Sequence, residues 1–340
     1  MIKYPVYKPF LCGNEKKYVN DCLDSSWISS KGKYIDLFKD SFKDFLKVNN
    51  ATPVSNGTVA LHLAMLALDI KEGDEVIVST LTYIASVNAI KYVNATPIFV
   101  DCSSSSWNID TDKIEQKITS KTKAIMAVHL YGASCEMDKL QGICKKHNLF
   151  LIEDVAEGFG TKFKDKYAGS FGDVSTFSFF GNKTITTGEG GMVVTKEKKL
   201  IEKVEYLKSQ AVSKSREYWH DHIGYNFRMT NICAAIGYAQ IEKASQILNK
   251  KKQIASFYRK ELENSEIKLQ VENIETTHSY WMVSILFENE HEKQIIRNKL
   301  TMSGIETRPV FHPIHTMPMY YSKEKFEISE NISKRGINLP

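Results

Sequence analysis

The stretch "SFFGNKTITTGEGG", Ser178–Gly191, places a single lysine, Lys183, among small and polar residues and follows it with three glycines within four positions. Apolar runs bracket it, "VSTF" before and "MVV" after. Two nucleotide-binding readings fail. "GNKT" lacks the G-x-x-x-x-G-K-[ST] spacing of a phosphate loop, and "GEGG" leads into a strand-like run, "GMVVT", where a dinucleotide loop leads into a helix. A lysine in a dry turn has a different use. Desolvation and neighbouring charges lower its pKa, and the neutral amine then attacks a carbonyl to form a Schiff base.

Upstream of this turn the chain alternates short apolar runs with helical stretches. The runs are "EVIVS" (75–79), "PIFVD" (97–101), "AIMAVHL" (124–130) and "LFLIED" (149–154). Between them lie "YIASVNAIKYV", "TDKIEQKI" and "EMDKLQGICKKH". This order predicts an α/β fold with βαβ units and a largely parallel sheet covered on both faces. Ligands of such sheets sit beyond the carboxyl ends of the strands. Two of those ends carry useful chemistry. "FLIEDVAEGFG" closes a buried strand on Glu153 and Asp154, and because side chains alternate, only one of the two faces a cleft. Such a carboxylate caps a helix, joins a buried ion pair or holds a cationic ring nitrogen. "SNGT" (55–58) enters a helix from about Thr58, where backbone N–H groups and the helix dipole suit a phosphate or simply form an N-cap.

From Thr230 the pattern changes to a long helical stretch without proline, read as two helices or one bent helix. "YWMVSILFE", a polar helix around 291–303 and "GIETRPV" follow, as in a smaller α+β unit. The expected division is 1–250 for a large domain and 251–340 for a small C-terminal domain.

Composition bounds the function classes. The chain has 340 residues, 42% hydrophobic and 25% charged, which allows a sizeable core. A net charge of +5 without a clustered basic face gives no reason to expect nucleic acid, and the Lys250–Lys252 run reads as a solvated helix face. Six cysteines are scattered with no C-x-x-C pair and no zinc spacing. No apolar run reaches membrane-span length, and "MIKYPVYKPFLCGNEKK" lacks the apolar core of a signal peptide. A cytoplasmic protein with no membrane partner and no metal is expected.

A phosphate nest, a carboxylate at a strand end and a lysine in a dry turn together form the kit for pyridoxal phosphate. At this point the sequence resembles the DegT/DnrJ/EryC1/StrS sugar aminotransferases, pyridoxal-phosphate enzymes of fold type I. The resemblance runs nearly end to end through "WISSKGKYIDLF", "VSNGTVALHLA", "TYIASVNAI", "FVDCSSSSWNID", "VHLYG", "IEDVAEGFG", "SFFGNKTITTGEGGMVVT", "GYNFRMTNICAAIGYAQIE" and "TRPVFHPIHTMPMY". It implies that Lys183 holds the cofactor and shuttles the proton, and that Asp154 pairs with the pyridine nitrogen. Glu157 falls beside the ring hydroxyl and Tyr83 on the ring. Gly57, Thr58 and Ser178 match the phosphate cradle. Asn226 matches a residue that reaches the phosphate of the neighbouring subunit, which implies a homodimer with shared active sites. Lys31, Arg228, His312 and His315 lie in segments that approach the substrate.

The resemblance also supplies glutamate as amino donor and a keto sugar as acceptor. Within the family, the segments around Lys183 and Asn226 look most like members that aminate the C4 ketone of GDP-4-keto-6-deoxy-mannose. Other acceptors stay open: a UDP- or dTDP-linked keto sugar, a keto-octulosonate or a small phosphorylated ketone. A related dehydratase branch has His at the lysine position, and Lys183 argues against it. A regulatory homologue without activity is disfavoured by the intact lysine, carboxylate and nest. The family pattern continues past "NLP" into a final helix, whereas this sequence ends at Pro340.

Overall fold

The computed structural model describes residues 2–340. Seven strands form the central sheet, in the order Asn50–Val54, Gly191–Thr195, Val174–Ser178, Phe150–Asp154, Thr122–Val128, Glu75–Ser79 and Thr96–Val100. Gly191–Thr195 runs antiparallel to both its neighbours, and the other six share one direction. The expected apolar runs therefore become strands of a mixed, mostly parallel sheet. Their burial explains why: Val76, Ile77, Val78, Ala124, Ile125, Met126 and Ala127 are all fully buried, as strands covered on both faces must be.

Alternation sends successive residues to two separate cores. Val193 packs with Leu61, Val76 and Met126 under the helices Gly57–Ala67 and Ile84–Tyr92. Met192 and Val194 pack on the other side, beneath Lys33–Leu46 and Asn231–Glu242. Lys33–Leu46 presents Phe38, Phe42 and Leu46, spaced four apart and at most 1% exposed. Phe42 meets Phe177 edge-on at 5.0 Å and Phe38 meets Phe179 at 5.2 Å, so the segment leading to Lys183 is anchored by aromatic packing.

The stretch after Thr230 forms two helices, Asn231–Glu242 and Ala244–Leu262. The second spans position 250. A four-stranded antiparallel sheet follows, ordered Lys268–Leu269, Val283–Leu286, Gly336–Leu339 and Arg308–Pro309, with Ile296 and Leu300 of the helix Glu290–Met302 against it. "TDKIEQKI" differs from its helical reading. It forms two short 3₁₀ turns, Thr111–Lys113 and Glu115–Lys117, because a stretch of this length barely exceeds the costly helix nucleus.

Candidate active site

The six like-directed strands bring the ends of three of them, Val54, Asp154 and Ser178, to one edge of the sheet, and a cavity of about 840 Å³ opens there. Its lining includes Gly57, Thr58, Tyr83, Asp154, Glu157, Ser178 and Lys183. Seven of the candidate residues, scattered over more than a hundred positions, thus meet in one space.

At one end lies the helix Gly57–Ala67. Asn56 caps it, its side chain accepting from Val59 N at 3.0 Å. The amides of Gly57 and Thr58, the first residues of the helix, have no intrahelical acceptor by geometry. The turn is pressed against the neighbouring strand: a Cβ on Gly57 would lie 2.7 Å from Ser178 Cβ. Gly191 is constrained in the same way, since its Cβ would lie 2.5 Å from Asn56 O. A glycine pair therefore permits the close approach that forms an anion cradle of amides beside the Ser178 hydroxyl.

The strand Phe150–Asp154 delivers the carboxylate. Asp154 faces the cavity, accepting from Ser86 Oγ at 2.7 Å and from Ala156 N at 3.0 Å. Glu153 faces away and is fully buried. It accepts from Gly169 N (2.8 Å), Phe171 N (2.8 Å), Gly172 N (2.7 Å) and Ser175 Oγ (3.0 Å). His129 Nε2 lies 3.1 Å from it, and His129 Nδ1 accepts from Cys135 N at 3.3 Å. With Nδ1 accepting, Nε2 is the ring nitrogen that faces Glu153.

Lys183 stands opposite, its side chain 13% exposed and its Nζ 4.0 Å from Glu157 Oε1. Burial pushes its ammonium below the ordinary lysine range, against Glu157 and Asp154, which favour the charged form. Burial likewise pushes Glu157 up to about 7, opposed by Lys183 and by the amide of Tyr131, which donates to it at 2.8 Å. An amine whose pKa burial lowers, beside a carboxyl that titrates near neutrality, is suited to nucleophilic attack on a carbonyl and to proton transfer. Tyr83 is 54% exposed at the rim, its ring centroid 5.5 Å from that of Phe311.

The other candidates lie outside this cavity within one chain. Lys31 is exposed ahead of the helix Lys33–Leu46. His312 is exposed. His315 is buried, its Nδ1 2.8 Å from Thr80 Oγ1. Asn226 and Arg228 bond each other (Nη2 to Oδ1, 3.1 Å), while Phe227 between them lines the cavity. Arg228 instead borders a second cavity with residues of the segment 209–220.

Among the lining residues that escaped sequence reasoning are Tyr131, Asn182, Phe227, Trp281 and Arg308. Arg308 offers a guanidinium at the mouth, 48% exposed and 3.7 Å from Glu306. Tyr131 is fully buried with φ of +56°, a left-handed conformation that a bulky residue adopts only where its surroundings impose it. Phe311 N donates to its hydroxyl at 2.9 Å. Asn182 Oδ1 and Thr184 Oγ1, on either side of Lys183, are buried without a partner.

A model of the DegT/DnrJ/EryC1/StrS aminotransferase family matches residues 11–340. The chain belongs to that family. Two relatives named GDP-perosamine synthase resemble it over its length. That of Escherichia coli O157:H7 is 60% identical, covering 100% of this chain and 93% of its own. That of Vibrio cholerae is 52% identical, covering 99% and 93%. The solved structure of Helicobacter pylori PseC, an aminotransferase involved in the biosynthesis of pseudoaminic acid, superposes with a TM-score of 0.94 at 28% identity over 99% of this chain and 93% of that one. As a DegT/DnrJ/EryC1/StrS member the protein is an aminotransferase. Membership implies pyridoxal phosphate, an amino donor and a keto-sugar acceptor. Among the described residues no helix is long and apolar enough to cross a membrane.

Proposed function

We propose that this aminotransferase moves the amino group of glutamate to the C4 ketone of GDP-4-keto-6-deoxy-mannose and so makes GDP-perosamine. The observation that carries this reading is the 60% identity, over the whole chain, with a relative of that name. Relatives named for a dTDP-linked and a UDP-linked sugar are 35% and 33% identical.

The site fits pyridoxal phosphate on its own chemistry. The cradle that a Cβ at position 57 would fill offers the Gly57 and Thr58 amides and the Ser178 hydroxyl to a phosphate. Lys183 is the one lysine lining the cavity among described residues. Asp154, with two donors and lone pairs to spare, would hold the ring nitrogen and its proton. Glu157 would serve the ring hydroxyl and Tyr83 the ring face. When bound, the cofactor supplies an electron sink for the charge left as a substrate carbon loses its proton. Lys183, its pKa lowered by the dry surroundings, would move that proton. The polar partners around Asp154 orient its carboxylate in advance, so no reorganisation is needed during reaction.

In the same reading the unit 1–250 carries the cofactor and 251–340 closes over the substrate. Two copies share their sites, each lending Asn226 to the phosphate of the other. Exposed apolar residues support such a pairing: Trp27 at 56%, Ile28 at 47%, Tyr218 at 96% and Ile223 at 84%. Lys31, Arg228, His312 and His315 are the candidate contacts to the nucleotide sugar, and Arg228 borders a cavity of its own that a second copy would help to close. The six cysteines are unpaired, which suits the cytoplasm.

The test is a panel of nucleotide keto sugars incubated with glutamate and read by mass spectrometry. The GDP-4-keto-6-deoxy-mannose well should gain an amine first. Faster amination of a UDP- or dTDP-linked sugar would overturn the choice of acceptor, and a colourless protein that glutamate does not bleach would overturn the enzyme reading itself.

A further inference from the structure

Three tethers converge on the short segment that carries Lys183. Tyr7 donates its hydroxyl to the Lys183 carbonyl. Trp281 Nε1 donates to the Asn182 carbonyl at 2.7 Å. The Lys183 nitrogen lies over the Trp281 ring, 4.1 Å from its centroid. Two distant residues, Tyr7 and Trp281, supply all three.

Trp281 is itself held firmly. It is 5% exposed and its ring lies nearly parallel to that of Tyr131, with centroids 6.1 Å apart and planes at 15°. Its carbonyl accepts from Lys251 Nζ at 3.1 Å. Lys251 reaches in from the helix Ala244–Leu262, 5.2 Å from the Tyr7 ring centroid, where burial pushes it down to about 8. A second buried lysine, unused by the chemistry above, thus fastens the tryptophan that contacts the first.

We infer that Trp281 is the docking face for the amine of Lys183 whenever that amine is free of cofactor: the ring receives the ammonium, the indole N–H fixes the backbone one residue upstream, and Lys251 and Tyr7 are positioning residues that hold the pair together. The inference rests on the reading of Lys183 as the cofactor lysine. An amine that detaches in each half-reaction must return to the same place, and a side chain with four methylenes has many places to go. An indole face is the strongest aromatic seat for a cation. Phenylalanine would keep the face and lose the N–H, and leucine would lose both.

The charged groups around the amine work in opposed directions. Burial favours the neutral amine, whereas Glu157 at 4.0 Å and Asp154 favour the ammonium. Lys251 donates to the Trp281 carbonyl, and Arg308 lines the same cavity as Lys183. The ring adds to the carboxylates, so its removal shifts Lys183 toward the neutral amine.

Full-length protein freed of cofactor provides the test. Reductive methylation with formaldehyde and cyanoborohydride is followed across pH and read at the Lys183 peptide by mass spectrometry. Trp281→Leu should lower the midpoint and raise labelling near neutral pH about fivefold, while Trp281→Phe should stay within about twofold of wild type. A midpoint that is unmoved or rises in Trp281→Leu overturns the inference. A second measurement does not depend on that variant folding. With ¹⁵N-labelled tryptophan, the Trp281 Nε1–H resonance should move through the Lys183 midpoint in wild type and stay flat in Lys183→Met. A flat resonance in wild type, or one that still moves in Lys183→Met, overturns the inference as well. Borohydride trapping of the cofactor on wild type separates the two readings, because a label on another lysine removes the premise about Lys183 whatever Trp281 does.

Discussion

Two carboxylates end the strand Phe150–Asp154, and they inhabit opposite regions. On one side Glu153 collects three amides, a hydroxyl and a histidine. Burial alone would raise its pKa, yet His129 and those amides hold it below the ordinary carboxylate range. On the other side Asp154, also buried, has two donors and an open cavity before it. A buried carboxylate with its lone pairs filled fastens the fold, here the loop 169–172. One with lone pairs to spare awaits a ligand. The difference lies in satisfaction rather than burial, since both are nearly inaccessible.

The comparison breaks most visibly in activity. Asp154→Asn should leave the fold intact and cut turnover by about 10²–10⁴-fold, because an amide cannot keep a ring nitrogen protonated. Lys183→Ala should abolish turnover, and borohydride reduction followed by peptide mapping should place the pyridoxyl group on Lys183 in wild type. Near wild-type turnover in Asp154→Asn would move the role elsewhere.

The mirror experiment is in stability. Glu153→Ala strands three amides and a histidine in the interior and should cost about 3–5 kcal/mol, read by denaturant unfolding. Because the folded pKa of Glu153 is depressed, its contribution is present above the ordinary value of 4.5 and is lost only as pH falls below it. A loss under about 1 kcal/mol would show that the five bonds contribute little net.

This contrast was only half legible in the sequence. "IED" announces two carboxylates at a strand end, and alternation guarantees that they part. Nothing local says which one meets a cavity, because the donors that fill Glu153 come from positions 129 and 169–175. The strands, the Lys183 turn and the glycine-lined cradle were readable because each is a local pattern. Trp281 was not: an aromatic before an apolar strand reads as core, and only the fold brings it over Lys183. Arg308 sits inside "TRPVF", but its histidine neighbours at 312 and 315 looked more chemical, and the structure turns one outward and binds the other to Thr80.

Glu157 sharpens the comparison because it falls between the extremes, with one amide donor and a lysine 4.0 Å away. Its folded pKa, about 7, lies above the ordinary 4.5. A carboxyl that binds its proton more tightly when folded contributes stability fully below 4.5, and loses it as pH rises through about 7. Glu157→Gln mimics the protonated form. In cofactor-free protein it should match wild type near pH 5 and exceed it by about 1–3 kcal/mol near pH 8. Denaturant melts at the two pH values measure the gap, and an equal gap at both would mean that Glu157 ionises freely in place.

The smallest expected effect concerns the phosphate end, lined within one chain by Gly57, Thr58 and Ser178. Asn226 is exposed and outside the cavity within its own subunit, although Phe227 beside it hydrogen-bonds through its carbonyl to Ser55 N at 2.9 Å. If a second copy supplies Asn226, its amide adds one charge-assisted bond to a phosphate dianion, worth about 1.5–3 kcal/mol. Asn226→Ala should then weaken cofactor retention by roughly ten- to a hundredfold, seen as faster loss of yellow colour on dialysis. In that arrangement cofactor would bridge two chains and should stabilise a dimer. Retention alone does not say which subunit the amide serves, and mixing does. Lys183→Ala and a severely impaired substitution at Asn226 should each be inactive alone. In a mixed dimer one site collects both defects and the other collects neither, so subunit exchange should restore partial activity. If exchange is demonstrated by mass and no activity returns, Asn226 serves its own chain. The phosphate would then be held by groups of one chain, Thr58 and Ser178 first among them.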